Sequence, residues 1–450
     1  MKSTATLVIV AASAAWFPVQ AAAQTPAIEM AEQAPPLRLT LDAAVRQAVN
    51  ASHRIAELRA RQESARATRE GREAADRPQV SAQAGYTRTN HVDTFGIGLP
   101  GRAFEVIYPD IPNNYRARLD LQWPIYTFGR TGALDRLAQT EVEATGKDME
   151  AGRADVTLDV TRAFWALVTA QESVRVLESS LKRMDAALQD VQNRQTVGLV
   201  PPSDVLSVQA QRSRQQMLLI QARNQLDLSR ADLARLVGLP PDAGVEPQAA
   251  LDGPAAPSAD IASLVAEARR SRPERQALAQ RVAGAGERRV AAAAAKRPML
   301  AIAGGVDYAR PNPRIFPRLG EFRESWDASV SFSWLLWDGG RVRADIAEAA
   351  ATERATTERL AEFDRALDVE VRQRWLDTQS SRAAVTAAVD SVNAAAEARR
   401  VVVERFRAGV ATTTEVLDAQ VALLQAELDR TQALASVRLA DARLARAVGR

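Results

Sequence analysis

The sequence predicts a mainly α-helical fold with a β-barrel part: a duplicated unit in which each copy joins a long antiparallel coiled-coil helical hairpin to a β-hairpin. Three observations carry this. The chain repeats itself, it holds two proline-free stretches long enough for helices of roughly 100 Å, and it holds four segments of period-two alternation.

The repeat is legible by eye. Residues from Leu39 align with those from Ala259 at an offset of 220, as do Arg77-Pro78 with Arg297-Pro298 and Gly85 with Gly305. The offset then falls to 211 and holds for Trp123 and Trp334, Gly129-Arg130 and Gly340-Arg341, Gly198 and Gly409, and Val205-Leu206 and Val416-Leu417. All nine lost residues fall between Gly85 and Trp123, a stretch rich in Gly and Pro, and length change confined to one place marks an exposed loop.

Residues 1–23 form an expected signal peptide. Lys2 supplies the positive end, Leu7 to Phe17 an apolar run shorter than a bilayer-spanning helix, and Ala21 to Ala23 a small-residue cleavage site before Gln24. Nothing beyond reaches about 18 uncharged apolar residues, so a membrane could be entered only by β-strands. The first repeat is expected over 24–238, a Pro/Gly/Ala-rich linker over 239–259 and the second repeat over 260–450.

Within the first repeat, residues 40–76 read as helix capped by Thr40. Strands follow at about 79–88 and 116–127, where Val80, Ala82, Ala84 and Tyr86, then Ala117, Leu119, Leu121, Trp123 and Ile125, alternate with polar residues. The second repeat has its strands at about 299–308 and 325–337, with Ser325, Asp327, Ser329, Ser331 and Ser333 on the polar side of the last. Each is about 9–10 residues, the length of a tilted strand across a bilayer. Four of the seven tryptophans lie on or beside the second strand of a pair, as an interfacial girdle requires. With apolar residues toward lipid, Arg116, Arg118, Asp120 and Gln122 face a wet lumen. The segments between paired strands, 89–115 and 309–324, are expected loops on the cell surface.

Long helices are expected at about 131–196 and 340–408, returning at about 203–237 and 414–448. Val156, Val160, Ala163, Leu167, Ala170, Val174, Leu177, Leu181, Met184, Leu188 and Val191 alternate spacings of four and three, which is a coiled-coil seam. Gly198 with Pro201-Pro202, and Gly409 with Thr412 to Thr414, stop the outgoing helices and turn the chain back.

Composition excludes much chemistry. There is no cysteine, so no disulfide framework, zinc ribbon, iron–sulfur cluster or thiolate nucleophile, and only two histidines, His53 and His91. Lys+Arg at 58 nearly balance Asp+Glu at 55, which gives no electrostatic case for nucleic acid. Gly96 to Gly101 matches a dinucleotide fingerprint as a string, but Pro100 lies inside it and no helix opens at Gly101 to receive a pyrophosphate. No metal site, cofactor or catalytic constellation is expected, and the chain is not expected to be an enzyme.

At Leu121-Gln-Trp-Pro-Ile-Tyr-Thr-Phe-Gly-Arg130, its copy Phe332 to Arg341, and the turns Val197 to Leu206 and Ala408 to Leu417, the sequence resembles the TolC-type outer-membrane efflux proteins, over nearly the whole expected mature chain. The resemblance implies a homotrimer in a Gram-negative outer membrane. Its twelve strands would form one barrel, continued by a helical tunnel across the periplasm. It implies as partners a periplasmic adaptor (membrane fusion) protein and an inner-membrane pump of RND or ABC type, exporting drugs, toxic small molecules or metals. The same channel serving type I protein secretion with an ABC transporter is the alternative. A periplasmic coiled-coil scaffold without a pore is more remote, since it leaves the bilayer-length strands unexplained. The resemblance further implies that Gly198, Leu199, Gly409 and Val410 dock the adaptor and that Glu415 and Asp418, with Asp204 beside them, line a periplasmic constriction. Ala411 stands where some relatives carry a basic residue, so a salt-bridged latch is not expected in its familiar form.

Overall fold

The computed structural model describes residues 37–98, 100–101, 104–251 and 260–450. The expected signal segment and the linker's end, 252–259, lie outside the described residues. In chain order the elements are β1 (Leu37–Leu39), α1 (Leu41–Ala51), α2 (His53–Ala74), β2 (Gln79–Arg88), β3 (Phe95–Ile97), β4 (Glu105–Tyr108), β5 (Asn113–Tyr126), α3 (Arg130–Thr196) and α4 (Pro202–Leu236). There follow β6 (Val245–Pro247), α5 (Ile261–Ser271), α6 (Pro273–Ala294), β7 (Met299–Arg310), β8 (Arg323–Ser333), α7 (Arg341–Arg407) and α8 (Thr413–Val448).

The two outgoing helices, α3 and α7, are each 67 residues long, close to 100 Å at about 1.5 Å per residue. Their starts are built alike. Gly129 and Gly340 adopt positive φ to turn strand into helix, a conformation that costs glycine nothing. Asp338 then caps α7 by accepting the N–H groups of Val342 at 2.7 Å and Gly340 at 2.9 Å, and these backbone bonds hold its carboxyl below the usual carboxylate range. At the matching place in the first repeat Thr127 accepts the N–H of Thr131 at 3.3 Å.

The expected single helix 40–76 is two helices. Ser52 adopts an extended backbone, ending α1, and its hydroxyl accepts the N–H of Ile55 to cap α2. Arg272 breaks the second repeat at the equivalent place, where Pro273 forbids helical backbone before it. The break lets α1 lie across the middle of α3 while α2 runs up beside it. Gly152 on α3 permits that approach, since a Cβ there would collide with Leu58.

The main core sits at this level. Ile55, Val160, Phe164, Leu167, Leu233 and Val237 are buried together with Leu39 of β1 and Val245 of β6. Fully burying each such side chain stabilises by roughly 1.5–3 kcal/mol. The expected linker thus carries a strand: β6 pairs in parallel with β1 through Leu37↔Val245. Leu264, Ala268, Leu367, Val371, Ala447 and Val448 form the second repeat's counterpart. Toward the far end the seam residues Met184 and Val191 pack with Val205, Val208, Phe406 and Val416.

At the other end, β2, β5, β7 and β8 form one antiparallel sheet in sequence order, leaving β2 and β8 as edges. The last strand ends at Ser333, short of the expected 337. Ser333 is paired with Met299, where β7 begins, so Trp334 to Trp337 have no partner strand among the described residues. The indole of Trp334 instead donates to the Lys296 carbonyl at 3.0 Å, as that of Trp123 donates to Asp76, pinning each strand to the end of the helix that feeds the sheet.

Candidate functional site

Two places gather the residues singled out above. The first is the polar face of the sheet. Register sets Ser81, Asp120, Gly305 and Asp327 in one row and Gln83, Arg118, Asp307 and Ser325 in the next. Alternation therefore stacks charges three strands deep. Arg118 donates to Asp120 at 2.6 Å, reaches Asp327 at 3.0 Å and contacts Asp307, while Arg116 grips Asp307 with two bonds at 2.6 and 3.0 Å. Arg314, from the loop beyond β7, adds a contact to Asp327 at 2.9 Å. Gly305 makes room for this: a Cβ there would stand 2.6 Å from the Arg118 guanidinium. Gln122 shares the face, opposite Gln79 and Ala303.

Sequence reasoning placed Arg116, Arg118, Asp120 and Gln122 here and missed Asp307. Flanked by Val306 and Tyr308, Asp307 has the parity of the polar face, so the signal was present in the alternation; the structure leaves it only 2% exposed beneath the two arginines. The opposite face is apolar and open, with Trp326 75% and Val330 70% exposed. One face of paired charge and one of bare hydrocarbon suit water on one side and lipid on the other. Among the described residues no helix is long and apolar enough to cross a membrane.

The second place is the pair of hairpin tips. Gly198 and Gly409 both have positive φ and close the same motif. The N–H groups of Gly198 and Leu199 donate to the carbonyls of Gln195 and Arg194, and those of Gly409 and Val410 to Phe406 and Arg405. Leu199 and Val410 are left 71% and 63% exposed at the ends of the hairpins. The chain re-enters helix differently at each tip. Pro202 opens α4 with Asp204 in its first turn, whereas Thr412 caps α8 in a reciprocal box with Glu415. Glu415 is therefore engaged in its own helix start, with bonds of 3.2 Å each way.

Asp204 is engaged across the tips, accepting the hydroxyl of Thr413 at 2.6 Å. Arg194 makes a second tie: its guanidinium lies over the Phe406 ring at 4.4 Å and donates to the Phe406 carbonyl at 3.1 Å. Asp418 is exposed and forms no ion pair among the described residues. Thr413, Arg194 and Phe406 were not legible as partners, because the bonds join residues more than 200 positions apart. No group of His, Cys, Asp or Glu among the described residues could hold a metal ion.

Comparison with known proteins agrees with this architecture. A family model described as outer membrane efflux protein matches residues 44–239 and 264–450. Protein CyaE of Bordetella pertussis is 26% identical over 76% of this chain and 70% of its own length. Outer membrane efflux protein BepC of Brucella suis is 26% identical over 70% of this chain and 67% of its own. The solved outer-membrane channel OprN shares the fold with a TM-score of 0.75 at 22% identity, over 91% of this chain and 89% of that one.

Proposed function

This chain belongs to the outer membrane efflux protein family, and we propose from that premise that three copies form the exit duct of a tripartite export system. In this reading the duct carries drugs, toxic small molecules or metals outward from a periplasmic adaptor and an inner-membrane pump of RND or ABC type. Membership makes the protein an outer-membrane transport component and not an enzyme.

The observation that carries the trimer is the open sheet. Its apolar face belongs in lipid, yet β2 and β8 present unpaired backbone, which hydrocarbon does not tolerate. Because the sheet has an even number of strands, β8 of one copy meets β2 of the next antiparallel, and three copies close twelve strands. Mass measurement of the detergent-purified protein with single-channel recording tests this; a monomer without conductance sinks it. Deleting the gene then tests the cargo. Drug, dye and metal sensitivity should rise, whereas unchanged sensitivity with a missing secreted protein would assign the duct to type I secretion.

In the closed ring the Arg116, Arg118, Asp120, Asp307 and Asp327 cluster lines the lumen. Asp307→Asn removes one negative charge per copy and leaves Arg116 in surplus, so reversal potentials across a salt gradient should move toward anion preference. No movement would take the cluster off the ion path.

At the periplasmic end, Asp204–Thr413 and Arg194–Phe406 tie the two hairpins of one copy together, and threefold symmetry repeats Asp204, Glu415 and Asp418 around the mouth. These ties and the acidic ring keep the resting entrance narrow and cation-selective. Asp418→Ala should weaken cation preference and block by multivalent cations at unchanged melting temperature. Adding Glu415→Ala should raise conductance as well, while costing about 1 kcal/mol of helix capping. Lower stability with unaltered selectivity in both variants would reduce these acids to helix-start residues.

The expected loops 89–115 and 309–324 shorten to 89–112, which carries β3 and β4, and 311–322, because the paired strands run further than their alternation shows; both lie at the outer end in this reading. An epitope tag inserted near Gly98 should bind antibody on intact cells, and labelling only after lysis would reverse the topology.

A further inference from the structure

Above the tips, residues of α3, α4, α7 and α8 of a single chain line a cavity of about 220 Å³, which shares Phe406 and Thr413 with the ties between the hairpins. Its lining includes Arg183, Arg399 and Arg407 together with Asp190 and the buried Gln420. The charges do not cancel. Arg183 is paired with Glu427 at 2.7 Å, and Asp190 is occupied by Arg194 at 3.3 Å. Arg399 and Arg407 have no carboxylate partner among the described residues.

Two buried polar atoms in this lining lack partners among the described residues: the Nε–H of Arg399, a donor, and the Oε1 of Gln420, an acceptor on a residue only 4% exposed. A buried donor or acceptor without a partner is costly to the fold, so the cavity is matched to an occupant that offers both functions. Burial first, and then repulsion from Arg183, holds the Arg399 guanidinium below the ordinary arginine value, with Glu427 opposing and Arg407 adding to the repulsion. A bound anion would relieve that strain.

We propose that this cavity is a binding site for a hydrogenphosphate-class oxyanion, held by Arg399, Arg407 and Gln420. Such an ion accepts from the two guanidinium groups and uses its own O–H to donate to the Gln420 oxygen, which sulfate and chloride cannot do. It joins α7 to α8 within the hairpin of the second repeat. A lipid headgroup is not the source: Arg183 lies some 50 residues down α3, roughly 80 Å from the sheet. The ligand is therefore free phosphate.

The test is calorimetry on the purified full-length protein in detergent at neutral pH, titrated with phosphate, sulfate or chloride at matched ionic strength. Phosphate should bind saturably, with sulfate weaker and chloride silent. Arg399→Gln should weaken phosphate about tenfold or more, the size of one charge-assisted bond. Gln420→Leu should bring phosphate down to the affinity of sulfate. Arg407→Gln, at an exposed position that packing does not depend on, guards against misfolding of the first variant and should also weaken phosphate. Phosphate heats equal to those of chloride, or Arg399→Gln and Arg407→Gln variants that bind phosphate like the parent, would overturn the site. The readout is binding alone, so it succeeds or fails independently of whether the entrance gates as proposed.

Discussion

Replacing Leu199 and Val410 together by glutamate is expected to reduce export to the level of a gene deletion while the trimer still assembles. Both side chains are bare at the hairpin ends, where they contribute little to the fold of their own chain. Apolar groups held out at a tip are available to a partner's apolar surface, and burying each is worth roughly 1.5–3 kcal/mol. A charge in the same place forfeits that gain and adds a desolvation cost. With both tips altered in every copy the losses multiply around the rim, so the adaptor should no longer co-purify. Crosslinked trimer and melting temperature should match the parent. If export and co-purification both survive, the tips are merely turns and the adaptor docks elsewhere.

Arg446→Met should be the most destabilising single change outside the apolar core, at about 3 kcal/mol or more. Arg446 lies near the end of α8, 8% exposed, and donates to Asp155 of α3 at 2.6 and 2.8 Å while contacting Glu274 of α6. Arg272 completes the knot by donating to the Arg446 carbonyl at 2.6 Å and pairing with Glu274 and Glu370, and Arg54 of α2 holds Asp155 at 2.7 Å. Removing the central guanidinium leaves Asp155 with Arg54 alone and Glu274 with Arg272 alone, both carboxylates lying about two-thirds out of water, and it takes away a tie between first repeat and second. Arg450→Ala, which breaks the exposed pair with Glu267, should cost under about 1 kcal/mol. Thermal unfolding of the two variants side by side decides the point: equal shifts would mean that the knot is solvated and adds little.

What could be seen in the sequence was whatever depends on near neighbours. Residues 79–88 announced β2 because Val80 to Tyr86 alternate without interruption, and the seam from Val156 to Val191 announced α3 because its spacing is local. The tips showed through Gly198 and Gly409, each followed by a helix restart. The break at Ser52 did not show, since serine is compatible with helix and the pattern resumes beyond it; comparison with Arg272-Pro273 in the second repeat would have located it. Strands β1 and β6 are three residues each, too short for any period. The charge cluster on the sheet and the Asp204–Thr413 tie depend on register and on the packing of one hairpin against another. Neither is encoded in spacing along the chain.

The equal length of α3 and α7 has a bearing on how such a protein can change over generations. Inserting one residue into either helix would turn everything beyond it by about 100° and advance it about 1.5 Å, scrambling the seam and lifting one tip above its counterpart. A viable change of tunnel length must therefore arrive in whole heptads, in α3 and α7 alike, with matching additions to α4 and α8. Single insertions and deletions are confined to the surface loops and the segment between repeats, which is where the nine-residue difference between the halves lies. Reach across the periplasm is thus inherited as one quantity, and lineages with envelopes of different depth should differ by coordinated steps in four helices.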